Sequence, residues 1–406
     1  MQTLFHDHHG ADPRLLLLSA EEQSMRLSRV RAALDGKADA VLLRDNANIY
    51  YVCGRVFSGY VYIPAVEDAQ PIYFVRRPNH LAGEQVDLIR KPEEIPAILA
   101  RRGLKAPGCI ALELGALSFD AATRLMKVFG DAEVVDATPV MRCARAVKTP
   151  YEIEKLKASG RKQTLIYERI PKLYREGMTD VELQIEIERA LRLEGCLGQF
   201  RVAGDEMELF MGNVLTGDNA DNPSPYDFAM GGAGLDPSIP VGANGSMIRP
   251  HKPVMVDVNG NFTGYMTDMT RCYSDGEPEE LTRKANECSR RICRELAQLG
   301  RPGAEAKALY KRAVEIAEEE GFGPNFMGYR SHAGFVGHGV GIEVNELPVI
   351  APRSRDVLEA GNVIALEPKF VLPGIGAVGI ENTYVVRADG PMECITLARE
   401  EITDLD

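Results

Sequence analysis

No apolar run in this 406-residue chain approaches the roughly 20 residues that a membrane-spanning helix requires, so a bilayer is not an expected partner. The opening stretch, MQTLFHDHHGADPR, lacks the basic and longer apolar regions of a secretory signal, and Leu15 to Leu18 is too short for either. Positive charge is in deficit. Forty-seven Lys and Arg stand against 59 Asp and Glu, a formal net charge of −12, which disfavours nucleic-acid backbones and anionic membranes as partners. Paired cysteines are missing too: the eight, at positions 53, 109, 143, 196, 272, 288, 293 and 394, form no CxxC motif. Free thiols in a reducing cytoplasm are therefore expected. Cys288 and Cys293, on an expected helix, are assigned to packing.

What is present describes a globular protein, with 45% hydrophobic and 26% charged residues in a chain long enough for two domains. Residues 1–18 read as an extension whose His6, His8 and His9 offer at most a tail-type metal site. Ser19 with Glu22 fits a capping box opening a helix through Leu34. Short strand patterns at 40–43, 59–64, 71–75 and 109–112, with helical stretches at 93–101 and 119–129, make 19–148 a compact α/β domain. A long helix is expected from Tyr151 to Tyr174 with a break at Pro171, and 149–406 forms the second domain. GMTDVELQIEIERALRLEG and PGAEAKALYKRAVEIAEEEG share one plan, a glycine, an amphipathic helix and Glu-Gly. Each precedes strands carrying candidate ligands, which hints at two related halves. Residues 201–250, rich in Gly, Asn, Asp and Pro, read as a long substrate-facing loop.

The second domain is organised around VMVDVNGNFTGYMTDMTRCY, residues 254–273, which carries Asp257 and Asp268 on β-type segments. Asn259-Gly260 suits a tight hairpin turn; a bend, bulge or further strand must then bring Asp268 to Asp257. Farther on, GHGVG places His338 among glycines, VIALEP ends an apolar run on Glu367, and AVGIENTYVV embeds Glu381 in another. An uncompensated carboxylate in such surroundings costs on the order of several kcal/mol. Two divalent cations would neutralise the four acids, and four carboxylates with one imidazole suit Mn, Fe(II), Co or Zn.

The order Asp257, Asp268, His338, Glu367, Glu381, within GYMTDMTR, GHGVGIE, LEP and GIEN, resembles the M24 metallopeptidases of the pita-bread fold, in particular the aminopeptidase P, prolidase and creatinase branch. The resemblance covers nearly the whole chain. It implies an α+β protein, with a pita-bread C-terminal catalytic domain behind a smaller creatinase-type α/β N-terminal domain. It implies that Asp268 and Glu381 bridge two divalent ions, that Asp257 completes one site and that His338 and Glu367 complete the other. Glu367 would also take a proton from the attacking water. Arg271, three residues after Asp268, is expected to orient that carboxylate.

Three departures bear on substrate. The stretch SIPVGANGSM, around Ile239, lacks a histidine that peptidases of this group usually carry before the first Asp. Asn345 stands in Val344-Asn345-Glu346 where they carry another, leaving a substrate contact but no proton shuttle near pH 7. His332 is the candidate replacement. Lys369 takes the place of the glycine commonly found after Glu-Pro. The resemblance implies a cytoplasmic, commonly homodimeric hydrolase that cleaves short peptides before proline as an Xaa-Pro aminopeptidase or dipeptidase. The alternatives are a non-peptidase hydrolase of the same fold acting on another small substrate, and a non-enzymatic binding protein.

Overall fold

The computed structural model describes residues 12–204, 210–222, 224–226 and 230–405. His6, His8 and His9 lie outside them. The chain divides into two compact units between Arg145 and Ala146, whereas the sequence pattern puts the change at 148.

The first unit is built on a mixed six-stranded sheet. β1 (Ala40–Leu43), β2 (Ser58–Pro64), β3 (Ile72–Arg77), β4 (Val86–Leu88), β5 (Cys109–Leu112) and β6 (Glu133–Asp136) lie in the order β4-β3-β2-β1-β5-β6. β1 runs antiparallel to β2 and parallel to β5, and all four of its residues are buried, as an unbroken AVLL segment requires. The helices are α1 (Ala20–Leu34), α2 (Asn46–Cys53), α3 (Ile95–Arg101), α4 (Phe119–Phe129) and α5 (Thr138–Ala146). Ser19 caps α1 by accepting from the Glu22 amide. Residues 12–18, expected as an extension, pack instead: Leu15 is buried and its amide donates to the Ala82 carbonyl.

The second unit repeats one plan twice, helices followed by antiparallel strands. In its first half are α6 (Pro150–Tyr167) and α7 (Asp180–Leu193), each opened by a full capping box, Thr149 with Glu152 and Thr179 with Glu182. α6 stops at Tyr167, short of the expected Tyr174. Pro171, which has no amide to donate, sits in the separate 3₁₀ turn Ile170–Lys172. The strands are β7 (Gly212–Thr216), β8 (Pro253–Val258), β9 (Gly260–Asn261), β10 (Met266–Thr267) and β11 (Thr270–Ser274). The long loop expected over 201–250 thus contains an edge strand, β7, paired antiparallel with β8 so that Asn213 lies opposite Asp257.

The hairpin is also placed differently. β9 pairs with β10, Asn261 opposite Met266, so the chain reverses at 262–265 with Gly264 at φ 83°, and Asn259-Gly260 lies before the turn. Glycine permits that positive φ.

The second half contains α8 (Glu280–Leu299), α9 (Ala306–Glu319), β12 (Gly337–Gly339), β13 (Glu346–Ile350), β14 (Val363–Leu366), β15 (Lys369–Leu372), β16 (Gly376–Gly379), β17 (Asn382–Val385), β18 (Glu393–Cys394) and β19 (Thr403–Asp404). Strand orders are β13-β12-β14-β17-β18 in one sheet and β19-β11-β8-β7 in the other, with β15-β16 a separate hairpin. Among the described residues, a bridge between Thr270 and Glu381 links the two sheets. Cys288 and Cys293 are buried in the core beneath, as their packing assignment anticipates. No described helix is long and apolar enough to cross a membrane.

Candidate metal centre

All five expected ligands come from strands or strand ends at the junction of the two sheets. β8 carries Asp257; because its register sets Thr270 opposite Asp257, Asp268 arrives just before β11 on the same side. β12 carries His338, Glu367 follows β14, and Glu381 precedes β17. Backbone pairs Thr270 N to Glu381 O, 3.3 Å, and Glu381 N to Thr270 O, 3.1 Å, hold the two halves of the cluster at one level. The Thr270 hydroxyl donates to Glu381 Oε2 at 2.8 Å, and Thr383 Oγ1 bonds both the amide and the carbonyl of Asp268.

One ligand atom each from Asp268, His338 and Glu381 lie within 4.8 Å of one another. His338 Nε2 is 3.2 Å from Glu367 Oε1. Glu381 Oε1 is buried and has no hydrogen-bond partner. An orphaned carboxylate oxygen beside an imidazole and a second carboxylate fits one divalent cation, since buried acceptors otherwise find a donor.

The remaining carboxylates of the cluster surround a lysine. The Lys369 ammonium, its side chain fully buried, lies 2.8 Å from Asp257 Oδ2, 2.8 Å from Glu367 Oε2 and 3.2 Å from Glu381 Oε2. Its three N–H donors have three carboxylate acceptors, among the very groups expected to hold the second ion. The departure after Glu-Pro was visible in the sequence, but not where the ammonium would go.

The charges adjust accordingly. Burial, with Asp257 nearby, pushes the Asp268 carboxyl up to about 7. Burial and Asp268 lift Glu381 well above the ordinary carboxylate range. Burial also raises Glu367, but the Lys369 ammonium and His338 outweigh it and hold that carboxyl at about 2. His338 is pulled down by burial, yet its bond to Glu367 and the charges of Glu367 and Asp268 bring it up to about 9.

The other expected residues do different work. Arg271, 1% exposed, does not bond the Asp268 carboxylate among its described contacts; its guanidinium donates to the carbonyls of Thr270, Glu381, Thr396 and Ala398 and to Asn382 Oδ1. It therefore fixes the peptide of Glu381. Asn345 bonds the backbone of Ala203 on both sides of its Cα, Oδ1 accepting from Ala203 N at 2.7 Å and Nδ2 donating to Ala203 O at 2.9 Å. His332 is exposed, with Nδ1 2.9 Å from the Phe326 carbonyl, and its described contacts do not reach the carboxylates.

Tyr167 went unnoticed in the sequence. Its hydroxyl accepts from Val258 N and lies 2.9 Å from the Val258 carbonyl and 2.5 Å from the Met269 carbonyl, sharing its one proton between them; these residues are one beyond each Asp, so the hydroxyl ties the two Asp-bearing segments together. A buried pair, Lys148 Nζ to Glu346 Oε2 at 2.8 Å, holds the turn behind β12, where Glu346 also accepts from the Ile342 and Glu343 amides.

A sequence profile of Metallopeptidase family M24 matches residues 154–388, and one of the Creatinase/Prolidase N-terminal domain matches residues 26–147. The chain is 26% identical over 382 residues to an Xaa-Pro dipeptidase of Pyrococcus furiosus, spanning 92% of this chain and 99% of that one. It is 28% identical over 255 residues to an Xaa-Pro dipeptidase of Lactobacillus helveticus, covering 63% and 61% of the two chains. Among solved structures, an Xaa-Pro dipeptidase from Bacillus anthracis superposes with a TM-score of 0.77 at 22% identity, covering 94% of this chain and 99% of that one. The prolidase from Pyrococcus horikoshii superposes with a TM-score of 0.74 at 23% identity, covering 92% and 98%. The expected α+β architecture, a creatinase-type N-terminal domain followed by the pita-bread catalytic domain, is thereby established.

Proposed function

Since this chain belongs to metallopeptidase family M24, we propose that it is a divalent-cation-dependent hydrolase that cleaves short peptides at the bond before proline. The observation that carries the reading is the convergence of Asp268, His338 and Glu381 on one point, with Asp257 and Glu367 joined to it through Lys369. The substrate class comes from the Xaa-Pro dipeptidases to which the chain is similar. Asp268, His338 and Glu381 would hold the ion, which is Mn, Co, Zn or Fe(II) by ligand type. When bound, such an ion supplies Lewis acidity for an attacking water and for the carbonyl under attack.

The protein's own groups handle the protons. Glu367 accepts the water's proton and passes it to the leaving nitrogen. Its basicity is lowered by the ammonium 2.8 Å from Oε2, which weakens it as a proton acceptor. Lys148 and Glu346 keep the turn after His338 in place, and Arg271 keeps the Glu381 peptide in place.

A second reading is a non-peptidase hydrolase of the same fold acting on a small C–N substrate. It is favoured by one observation: the Asn345 amide, at the position of an expected proton-relay histidine, is bound to Ala203.

The test is hydrolysis of X-Pro dipeptides, X-Pro-Y tripeptides and creatine by protein loaded with Mn, Co or Zn, and by Glu381→Gln. Metal-dependent cleavage before proline, lost by at least a hundredfold in the variant, supports the peptidase reading. Turnover of creatine alone moves the assignment to the second reading. Silence on the whole panel with metal bound removes the peptide substrate.

A further inference from the structure

Lys369 lies on β15, paired with Gly379 of β16. Its stem is confined: a Cβ on Gly379 would meet Lys369 Cα at 2.9 Å and Lys369 Cγ at 3.1 Å, so only glycine opposite leaves the lysine room. The lysine carbonyl is fixed by the Met327 amide at 2.8 Å. The tip is held as firmly as the stem, by oxygens of Asp257, Glu367 and Glu381.

Metal–oxygen bonds to carboxylates are about 2.0–2.2 Å long, and paired catalytic ions stand about 3.5–4 Å apart. An ammonium already 2.8 Å from Asp257 and Glu367 fills that space and repels a second dication. The other end of the cluster is different. There Glu381 Oε1 has no partner among the described residues, and one carboxylate oxygen of Glu381 lies within 4.8 Å of a ligand atom from Asp268 and from His338.

We propose that the Lys369 ammonium is a built-in cation that takes the place of one divalent ion, leaving a mononuclear centre on Asp268, His338 and Glu381. Asp257 then serves the lysine rather than a metal, and Glu367 is shared between the lysine and the imidazole. The inference rests on the hydrolase reading for the presence of an ion, but its consequences are counted in ions per chain.

The experiment measures bound Mn per chain, by titration calorimetry and by elemental analysis after dialysis, for the full-length protein and two variants. The wild type is expected to hold one ion, Asp257→Asn also one, and Lys369→Gly two. Two ions in the wild type, or none at saturating Mn, overturns the proposal, as does loss of the ion in Asp257→Asn. If Lys369→Gly does not fold, the wild type and Asp257→Asn decide alone. A second readout is the anomalous signal of a Mn-soaked crystal, with a single peak beside His338 expected and a pair of peaks contradicting the inference. One bound ion without peptide cleavage would remove the substrate assignment and leave this centre standing.

Discussion

Asn345 shows how much one side chain's partners matter. The tripeptide Val344-Asn345-Glu346 invites restoring a histidine to regain a proton shuttle, yet the amide oxygen and the NH₂ bind the Ala203 N–H and C=O, and Glu346 braces the turn. An imidazole cannot present an acceptor and a donor to the N–H and C=O of one residue in the geometry of an amide. Asn345→His is therefore expected to leave X-Pro hydrolysis unchanged or lower it, and to loosen residues 201–204, read as faster proteolysis there. A gain in kcat would show that the side chain is free to reach substrate. Arg271 teaches the same lesson. Its distance from Asp268 in sequence suggested a carboxylate partner, whereas five buried acceptors elsewhere, the Glu381 carbonyl among them, claim its donors. Sequence spacing reveals that a guanidinium is near a ligand; it does not say which of its neighbours is the better acceptor.

At the level of elements, the site depends on register. Thr270 opposite Asp257, and Glu381 bridged to Thr270, place carboxylates from two sheets side by side. The apolar runs ending in acids were readable as strands because their period and β-rich composition are local properties. The hairpin position was not, because Asn259-Gly260 is as good a turn as the 262–265 reversal until β9 pairs with β10. β7 escaped notice for a similar reason: an edge strand within a Gly- and Asn-rich stretch gains its order from β8 rather than from its own propensity. Tyr167, at the end of α6, straps the Asp-bearing segments through three hydroxyl bonds. Tyr167→Phe leaves the ring packed and the Val258 amide and two carbonyls short of that partner, a loss of about 2 kcal/mol in stability, measurable by urea unfolding. Metal affinity should weaken with it; an unchanged affinity would mean that the strands hold the ligands unaided.

For the molecule as a whole, pH acts on the first unit through a group far in sequence from the metal ligands. Glu113 is buried after β5, accepting from the Arg44 and Asp45 amides and from Asn48 Nδ2, and burial pushes its carboxyl from 4.5 up to about 7. A raised folded-state value means that the folded protein binds the proton more tightly than the unfolded chain. The stabilisation is then full below pH 4.5 and is lost as the pH rises through 7, by about 3 kcal/mol at most. Hydrogen exchange in β1 and β5 between pH 4 and 8 should report that fall. Glu113→Gln should flatten it, because the Asn48 amide can turn its unpartnered Oδ1 toward the new NH₂. A wild-type profile that stays level would remove Glu113 as the cause.

The sequence by itself determined the class of the protein and marked five side chains of metal-binding type as candidates. The two-part α+β architecture, the helix caps at Thr149 and Thr179, and the order of five metal-type side chains in their motifs are all properties of residues and their near neighbours. Only the tertiary structure decided what those ligands surround. Lys369 follows Glu367 by two positions, and in sequence it is merely a missing glycine. Its ammonium became part of the centre because β15 packs against Gly379 and aims the side chain at carboxylates brought from β8 and from the segment before β17. A buried charge is settled by whatever counter-charge lies closest in space, and closeness in space is what folding creates.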